Sequence, residues 1–142
     1  MTDLDLLLKK LAFIETCLME LRTLSNPEAL DKDVKERRFV EHTLQVCLQA
    51  VQDVASHIVA DERLGEPETN QALFHLLQGA GWINAQLADA LSAAIGFRNV
   101  LVHGYTVVNL NIVRDVLAHR LDDIVRFVDA VRSRLVSQSG LP

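Results

Sequence analysis

Four polar side chains stand close together in an otherwise aliphatic stretch, FRNVLVHGY at residues 97–105: Arg98, Asn99, His103 and Tyr105. An arginine offers phosphate oxygens a planar fork of donors and stays charged. A histidine exchanges a proton near neutral pH. His103 would take the proton from an RNA 2′-hydroxyl, and Arg98 would stabilise the charge that builds on the phosphorane oxygens. Such a step requires no metal.

The spacing of Arg98 and His103 sets a condition on this chemistry. Five residues correspond to about 140° around an ideal helix, so the two side chains do not share one face. They converge if the helix end is distorted, which Gly96 and Gly104 allow, or if a second copy of the chain brings its own pair.

Each of these residues also has a purely structural interpretation. An arginine near a helix end can pack its stem and bond free carbonyls, and a histidine in the last turn complements the helix dipole. Asn99 could hold the scissile phosphate, orient His103, or make ordinary hydrogen bonds at the helix end.

Hydrophobic periodicity predicts the helices that position this stretch. The first runs roughly over 4–24 and the second to about Ala60, starting after a cap at Asn26, Asp31 or Asp33. Thr69 can cap a short third helix, and a fourth starts near Ile83 and ends at Gly104 as C′ residue. The last is capped by Asn109 or Asn111 and carries one stripe: Val113, Leu117, Leu121, Ile124, Val128, Val131 and Leu135. The predicted fold is all-α, an up-and-down bundle of four main helices plus a short helix, in a single domain of residues 1–142.

Composition narrows the possible functions. The formal net charge is −5, which argues against a nucleic-acid coat protein with a broad basic face but not against a small basic site. The N-terminus has no signal peptide pattern, and no apolar run is long enough to cross a membrane. Cys17 and Cys47 lack metal-ligand spacing and are expected to be isolated buried thiols.

The other polar candidates have weaker patterns. Asp53 and His57 are four residues apart on the second helix and could pair, as could Glu41 with His42, but a solvated or interface role is favoured for both. His75 and a histidine at 119 lack partners at metal spacing. No metal site is predicted.

The residues 98–105 resemble a known signature. RNVLVH fits the Arg–Asn–x–x–x–His form found in HEPN domains, and with Tyr105 the stretch is similar to the narrower HepT-like toxin family. Residues 37–59, 65–83 and 112–131 resemble the second helix, the middle section and the last helix of that family. Family members often carry an acidic residue near the cap of the last helix, where this chain has Asn109.

The resemblance implies a metal-independent endoribonuclease, the toxin of a type VII toxin–antitoxin system, with Arg98, His103 and Asn99 as catalytic residues. It implies a homodimer whose two Arg–His pairs line one cleft. Its partners would be an RNA substrate and a minimal nucleotidyltransferase antitoxin, which silences the toxin by transferring AMP to Tyr105. That group would add bulk and negative charge beside Arg98. No cofactor, DNA or membrane is implied, and the expected location is cytoplasmic.

Two alternatives stay open at the level of sequence. The bundle could be the non-catalytic binding subunit of a two-chain nucleotidyltransferase, in which Tyr105 matters more than His103. It could also be a helical scaffold that packs against another protein.

Overall fold

The computed structural model describes residues 3–102 and 109–139, which form a bundle of α-helices. In chain order the helices are α1 Leu4–Leu24, α2 Val34–Asp61, α3 Ala72–Gly79, α4 Ala85–Val102, α5 Leu110–Asp115 and α6 Leu121–Ser139. A 3-10 turn, Pro27–Ala29, precedes α2, and a π-helical turn, Val116–Arg120, joins α5 to α6. These two ranges contain no strand. The predicted all-α up-and-down bundle is confirmed.

Polar caps fix where the helices begin. The Asp33 side chain accepts from the backbone N–H of Lys35 at 2.9 Å, so α2 starts after Asp33 rather than at Asn26. Thr69 Oγ1 accepts from the N–H of Ala72 at 3.1 Å, but Thr69 lies in the turn before α3, whose N-cap position is Gln71. Asn109 Oδ1 accepts from Asn111 N at 2.9 Å, which selects Asn109 as the cap of α5. Each cap satisfies an N–H group that has no partner within its helix.

Contacts between helices fix their directions. Arg22 near the end of α1 donates to Asp122 near the start of α6 at 2.6 Å, so these two helices are antiparallel. The backbone N–H of Asn26 donates to Glu36, which holds the start of α2 beside the end of α1. The guanidinium of Arg134, near the end of α6, lies 4.6 Å from the ring centroid of Trp82, just before α4.

It follows that α1 and α4 run in one direction, and α2 and α6 in the other. The end of α1, the start of α2, the end of α4 and the start of α6 therefore lie at the same end of the bundle, here called the upper end. Within the described residues, no helix is both long enough and apolar enough to span a membrane.

The core is aliphatic, as the low aromatic content predicts. Residues spaced three or four apart form a fully buried seam on α2: Val40, Leu44, Cys47, Val51, Val54 and Ile58. Leu48, which lies off that seam, is buried too, because α2 packs against α1, α3 and α4. Phe74 and Phe127 meet edge to face, with ring centroids 6.1 Å apart.

The last helical segment differs from the prediction of one unbroken α-helical stripe. The π-helical turn interrupts it, and Leu117 within that turn is only half-buried. A π turn closes its hydrogen bonds over five residues instead of four, which shifts the angular phase of the side chains it contains. The remaining predicted positions of the stripe are buried: Val113, Leu121, Ile124, Val128, Val131 and Leu135.

The two cysteines are buried, as predicted, but they are not isolated. Cys17 on α1 and Cys47 on α2 are 2% and 0% exposed. The contact between the two thiols lowers the pKa of Cys17 and, together with burial, raises the pKa of Cys47. The pair is thus a polar contact within the aliphatic core, between α1 and α2.

Candidate active site at the end of helix α4

Arg98 lies on the inward face of α4. It follows Ile95 by three residues and so continues the line of buried residues Leu87, Leu91 and Ile95. The side chain is half-buried and its Nε is inaccessible to solvent. A charged group thus takes the position at which the helix pattern calls for an aliphatic residue.

The guanidinium of Arg98 has few partners within residues 3–102 and 109–139. Its one hydrogen bond there is a long contact of 3.4 Å from Nη1 to Asn99 Oδ1, and Nε has no acceptor. Five other arginines pair with carboxylates: Arg22, Arg114, Arg120, Arg126 and Arg132. A buried donor without an acceptor costs about 1–3 kcal/mol, so this site favours an incoming anion such as a phosphate.

Asn99 orients its oxygen toward Arg98. It is half-buried and lies on a different side of α4, about 100° further around the helix. The contact with Nη1 uses the amide oxygen as acceptor, which leaves the amide NH₂ free to donate elsewhere. The structure thus brings Arg98 and Asn99 together.

His103 and Tyr105 lie outside the described residues, as does the predicted C′ residue Gly104. The helix α4 reaches Val102, immediately before His103. Whether Arg98 and His103 converge, within one chain or across two, stays a prediction.

An apolar cavity lies between α4 and its neighbours α2, α5 and α6, beside Phe97, the residue that precedes Arg98. The cavity, of about 250 Å³, is lined by Leu48, Ala93, Phe97, Ile112 and neighbouring residues. Ile112 is 49% exposed, and Val100, one turn beyond Phe97 on α4, is exposed to the same extent. Large apolar side chains so exposed beside a charged site are typical of a surface that another molecule covers.

A larger cavity, of about 670 Å³, lies elsewhere and is not the candidate site. Trp82, Asn84, Leu87 and Arg126 are among its lining residues, so it sits at the start of α4. Thirteen residues of helix separate that start from Arg98, about 20 Å along the axis. Choosing the candidate site by cavity volume alone would therefore point to the opposite end of the bundle from Arg98.

The weaker candidates do not gather into a site. Asp53 accepts a hydrogen bond from Gln49 at 2.8 Å instead of pairing with His57. His57 Nε2 lies 3.3 Å from Asp61 Oδ2. Glu41 is half-buried, and His42 is exposed. The described residues hold no group of three or more side chains fit to bind a metal ion.

One polar contact beside the site was missed at the level of sequence. His75 of α3, which has no partner at metal spacing in the sequence, lies 3.4 Å from Ser92 Oγ and 3.9 Å from Asp89 Oδ1, both measured from Nε2. The serine hydroxyl donates to the carbonyl of Gln71 at 2.9 Å. Since Ser92 and Asp89 approach the same nitrogen, this is not a hydrolase triad, which needs one partner on each nitrogen. No pattern within either helix signals a contact that forms only across them.

Comparisons with known proteins agree with the fold and with the sequence signature. Residues 14–131 match the family described as "Ribonuclease HepT-like". The chain is 32% identical to the mRNA nuclease HepT of Shewanella oneidensis, over 91% of this chain and 98% of that protein. It is 27% identical to the tRNA nuclease HepT of Aphanizomenon flos-aquae, over 72% of this chain and 70% of that protein. A solved structure of a tri-AMPylated Shewanella oneidensis HEPN toxin in complex with MNT antitoxin superposes with a TM-score of 0.84 at 31% identity, over 94% of this chain and 99% of that one.

Proposed function

This chain belongs to the HepT-like ribonuclease family, and we propose that it is the toxin of a type VII toxin–antitoxin pair that cleaves RNA without a metal. The observation that carries this proposal is the state of Arg98. Its guanidinium is half-buried on the inward face of α4 and has no carboxylate partner among residues 3–102 and 109–139. A phosphodiester would supply the missing acceptors and the neutralising charge.

In the proposed reaction, His103 removes the proton from a ribose 2′-hydroxyl, whose oxygen attacks the adjacent phosphorus. Arg98 donates to the non-bridging oxygens as negative charge grows on them. A second group, acting as the acid, protonates the departing 5′-oxygen, and the bond from phosphorus to that oxygen breaks. Asn99 steers the guanidinium through its amide oxygen and presents its NH₂ group to the phosphate.

The group that acts as the acid is proposed to come from another copy of this chain. His103 follows Arg98 by five residues, so an undistorted helix holds the two side chains about 140° apart. A two-fold axis beside the end of α4 would bring one protomer's His103 toward the other's Arg98. The exposed Val100 and Ile112 are suited to such a homodimer contact.

The proposed partners are inferred from those of similar proteins. The Shewanella oneidensis toxin is tri-AMPylated and bound to an MNT antitoxin. In this chain the acceptor of AMP is proposed to be Tyr105, two residues after His103. A phosphate diester there would compete with RNA for Arg98. The protein is proposed to act in the cytoplasm, with no DNA or membrane partner and no bound cofactor.

The direct test is cleavage of RNA in EDTA by the purified full-length protein, with His103→Ala as the comparison. Cleavage by the unsubstituted protein alone supports the proposal and assigns His103 to the site. Absence of cleavage by either, from protein whose intact mass shows no added AMP, favours the alternative of a non-catalytic subunit of a two-chain nucleotidyltransferase.

A further inference from the structure

Four cations lie at the start of α2 and in the turn just before it, although the formal net charge of the chain is negative: Lys32, Lys35, Arg37 and Arg38, here called the α2 basic cluster. Lys32, Lys35 and Arg38 are exposed, and Arg37 is half-buried. In the part of the chain that the structure describes, none of the four forms an ion pair with a carboxylate within 4.0 Å. The cations are therefore available to an outside partner.

The acidic residues interleaved with these cations are occupied elsewhere. Asp31 accepts a hydrogen bond from Arg114 at 3.1 Å, across to α5. Asp33 caps α2, and Glu36 accepts from the backbone N–H of Asn26. Glu41, about one turn further along α2, is half-buried and forms no ion pair with the cluster among the described residues. Three of the four carboxylates thus have partners elsewhere in the fold, while three of the four cations are exposed.

The needs of helix α2 do not explain the cluster. The first turn of a helix carries the positive end of its dipole, where acidic side chains are favourable and basic ones are not. Lys35 lies in that turn, and Arg37 and Arg38 follow in the next one. Cations placed there without partners are better explained by an anion that they bind.

The cluster lies at the upper end of the bundle, the same end as Arg98. Arg37 precedes Leu48 by eleven residues, about three helical turns, so both project from the same side of α2. Leu48 lines the cavity that Phe97, the neighbour of Arg98, also lines. From Leu48, α2 rises about 16 Å to Arg37, whereas α4 rises about 8 Å from Phe97 to its end at Val102. Arg37 therefore stands nearer the upper end than Arg98, by about 15 Å along the bundle axis, within reach of nucleotides next to a phosphate held by Arg98.

We propose that the α2 basic cluster binds the phosphates of single-stranded RNA that flank the scissile phosphate. This inference rests on the proposed function and extends it from one bound phosphate to several phosphates along the RNA strand. Contacts to phosphates release counterions, so each one adds about 0.7 to the slope of log K against log salt for a single strand. The cluster would thus raise the affinity for long RNA without touching the reacting atoms.

The test compares two double substitutions that remove the same charge. Arg37→Gln with Arg38→Gln alters the cluster, and Lys9→Gln with Lys10→Gln alters α1 near the opposite end of the bundle. Binding of a fluorescent single-stranded RNA is measured against salt in a His103→Ala background, which prevents cleavage. We expect the cluster variant to bind more weakly, with its slope reduced by about 1.4 for two lost contacts, and the control variant to keep the original slope.

The kinetics of RNA cleavage distinguish an effect on RNA binding from an effect on the chemical step. In active protein, the cluster variant should show a raised KM and an unchanged kcat on long RNA, and unchanged kcat/KM on a dinucleotide, whose single phosphate reaches only Arg98. Its melting temperature should not fall. Equal behaviour of the two variants, or loss of antitoxin binding with RNA cleavage intact, would overturn the inference alone. A protein without substitutions that neither binds nor cleaves RNA would overturn the proposed function as well.

Discussion

At the scale of single residues, Arg98 is the clearest departure from the helical pattern. An aliphatic side chain at this inward position would extend the core, yet the chain places a guanidinium there whose Nε lacks an acceptor in the described ranges. A half-buried donor without an acceptor destabilises the folded state. Proteins tolerate such a loss of stability mainly at functional sites.

Replacing Arg98 should therefore separate activity from stability. We expect Arg98→Gln to lower RNA cleavage by about 10²–10³-fold, the usual effect of losing a donor to a developing oxyanion, while the melting temperature stays or rises. The matched control is Arg126→Gln, an exposed arginine whose ion pair with Asp123 lies on α6. A large fall in melting temperature for Arg98→Gln would instead assign this arginine to the core.

Tyr105 allows a second prediction at this scale. Tyr105→Phe removes the hydroxyl that would accept AMP and leaves the ring, so the variant should still cleave RNA. After incubation with ATP and the nucleotidyltransferase antitoxin, its intact mass should show no added AMP, and its activity should persist. Addition of AMP to the phenylalanine variant would disprove the assignment of the acceptor.

At the scale of elements, the contact between α3 and α4 depends on Gly96. Gln71 donates to the carbonyl of Ser92 at 3.1 Å, and its Nε2 lies 2.9 Å from where a Cβ on residue 96 would stand. An added methyl group must displace the flexible end of Gln71, while alanine favours the helix by about 1 kcal/mol over glycine. The two effects oppose each other.

Gly96→Ala alone should consequently change the free energy of unfolding by less than about 0.5 kcal/mol. In a Gln71→Ala background, where the clash is absent, the same substitution should stabilise the protein by about 0.5–1 kcal/mol. Urea unfolding of the two single variants and the double variant measures the coupling. Additive effects would show that Gln71 does not constrain residue 96.

The contact between α1 and α6 leads to a prediction about pH. Arg132 donates to both carboxylate oxygens of Glu15, at 3.1 Å for Nη1 to Oε2, and this hydrogen bonding lowers the pKa of Glu15. A carboxyl whose folded pKa is lowered stabilises the fold above its unfolded pKa, about 4.3. That contribution is lost as pH falls through the folded value.

Glu15→Gln should thus be slightly less stable than the unsubstituted protein at pH 7, by less than about 1 kcal/mol because solvent reaches both side chains of the pair. The difference in melting temperature should shrink as the pH falls below about 4. Glu68→Gln, in the exposed loop before α3, serves as the control. A difference that does not depend on pH would show that the ion pair is not its source.

At the scale of the whole molecule, the site is proposed to be complete only in a homodimer. Val100, two residues after Arg98 on α4, and Ile112 on α5 present apolar surface, each 49% exposed. A second copy seated there would bury this surface and bring a second Arg98 and His103 to the same cleft.

Val100→Asp should accordingly shift the protein toward monomer. RNA cleavage should fall in proportion to the fraction of dimer that is lost. The control is Met19→Asp on α1, a comparably exposed apolar position, 58% exposed, on a helix that does not carry the site. Light scattering and cleavage are measured over the same range of protein concentration. A monomeric Val100→Asp variant with full activity would contradict the shared site.

The sequence by itself determined the helices, most of the core and the family. The α2 seam and the signature from Arg98 to Tyr105 are local patterns, and periodicity or spacing within one segment is enough to predict them. The predicted all-α bundle and the HepT-like family are both confirmed. The role of Arg98, Asn99, His103 and Tyr105 remains a prediction.

Only the tertiary structure decided which side chains meet across helices. Asp33, rather than Asn26, begins α2, and a π-helical turn breaks the stripe at Leu117. Cys17 meets Cys47, and the α2 basic cluster stands at the same end as Arg98 although about sixty residues separate them in the chain. Such contacts depend on the direction and packing of whole helices, which a pattern read along one segment does not contain.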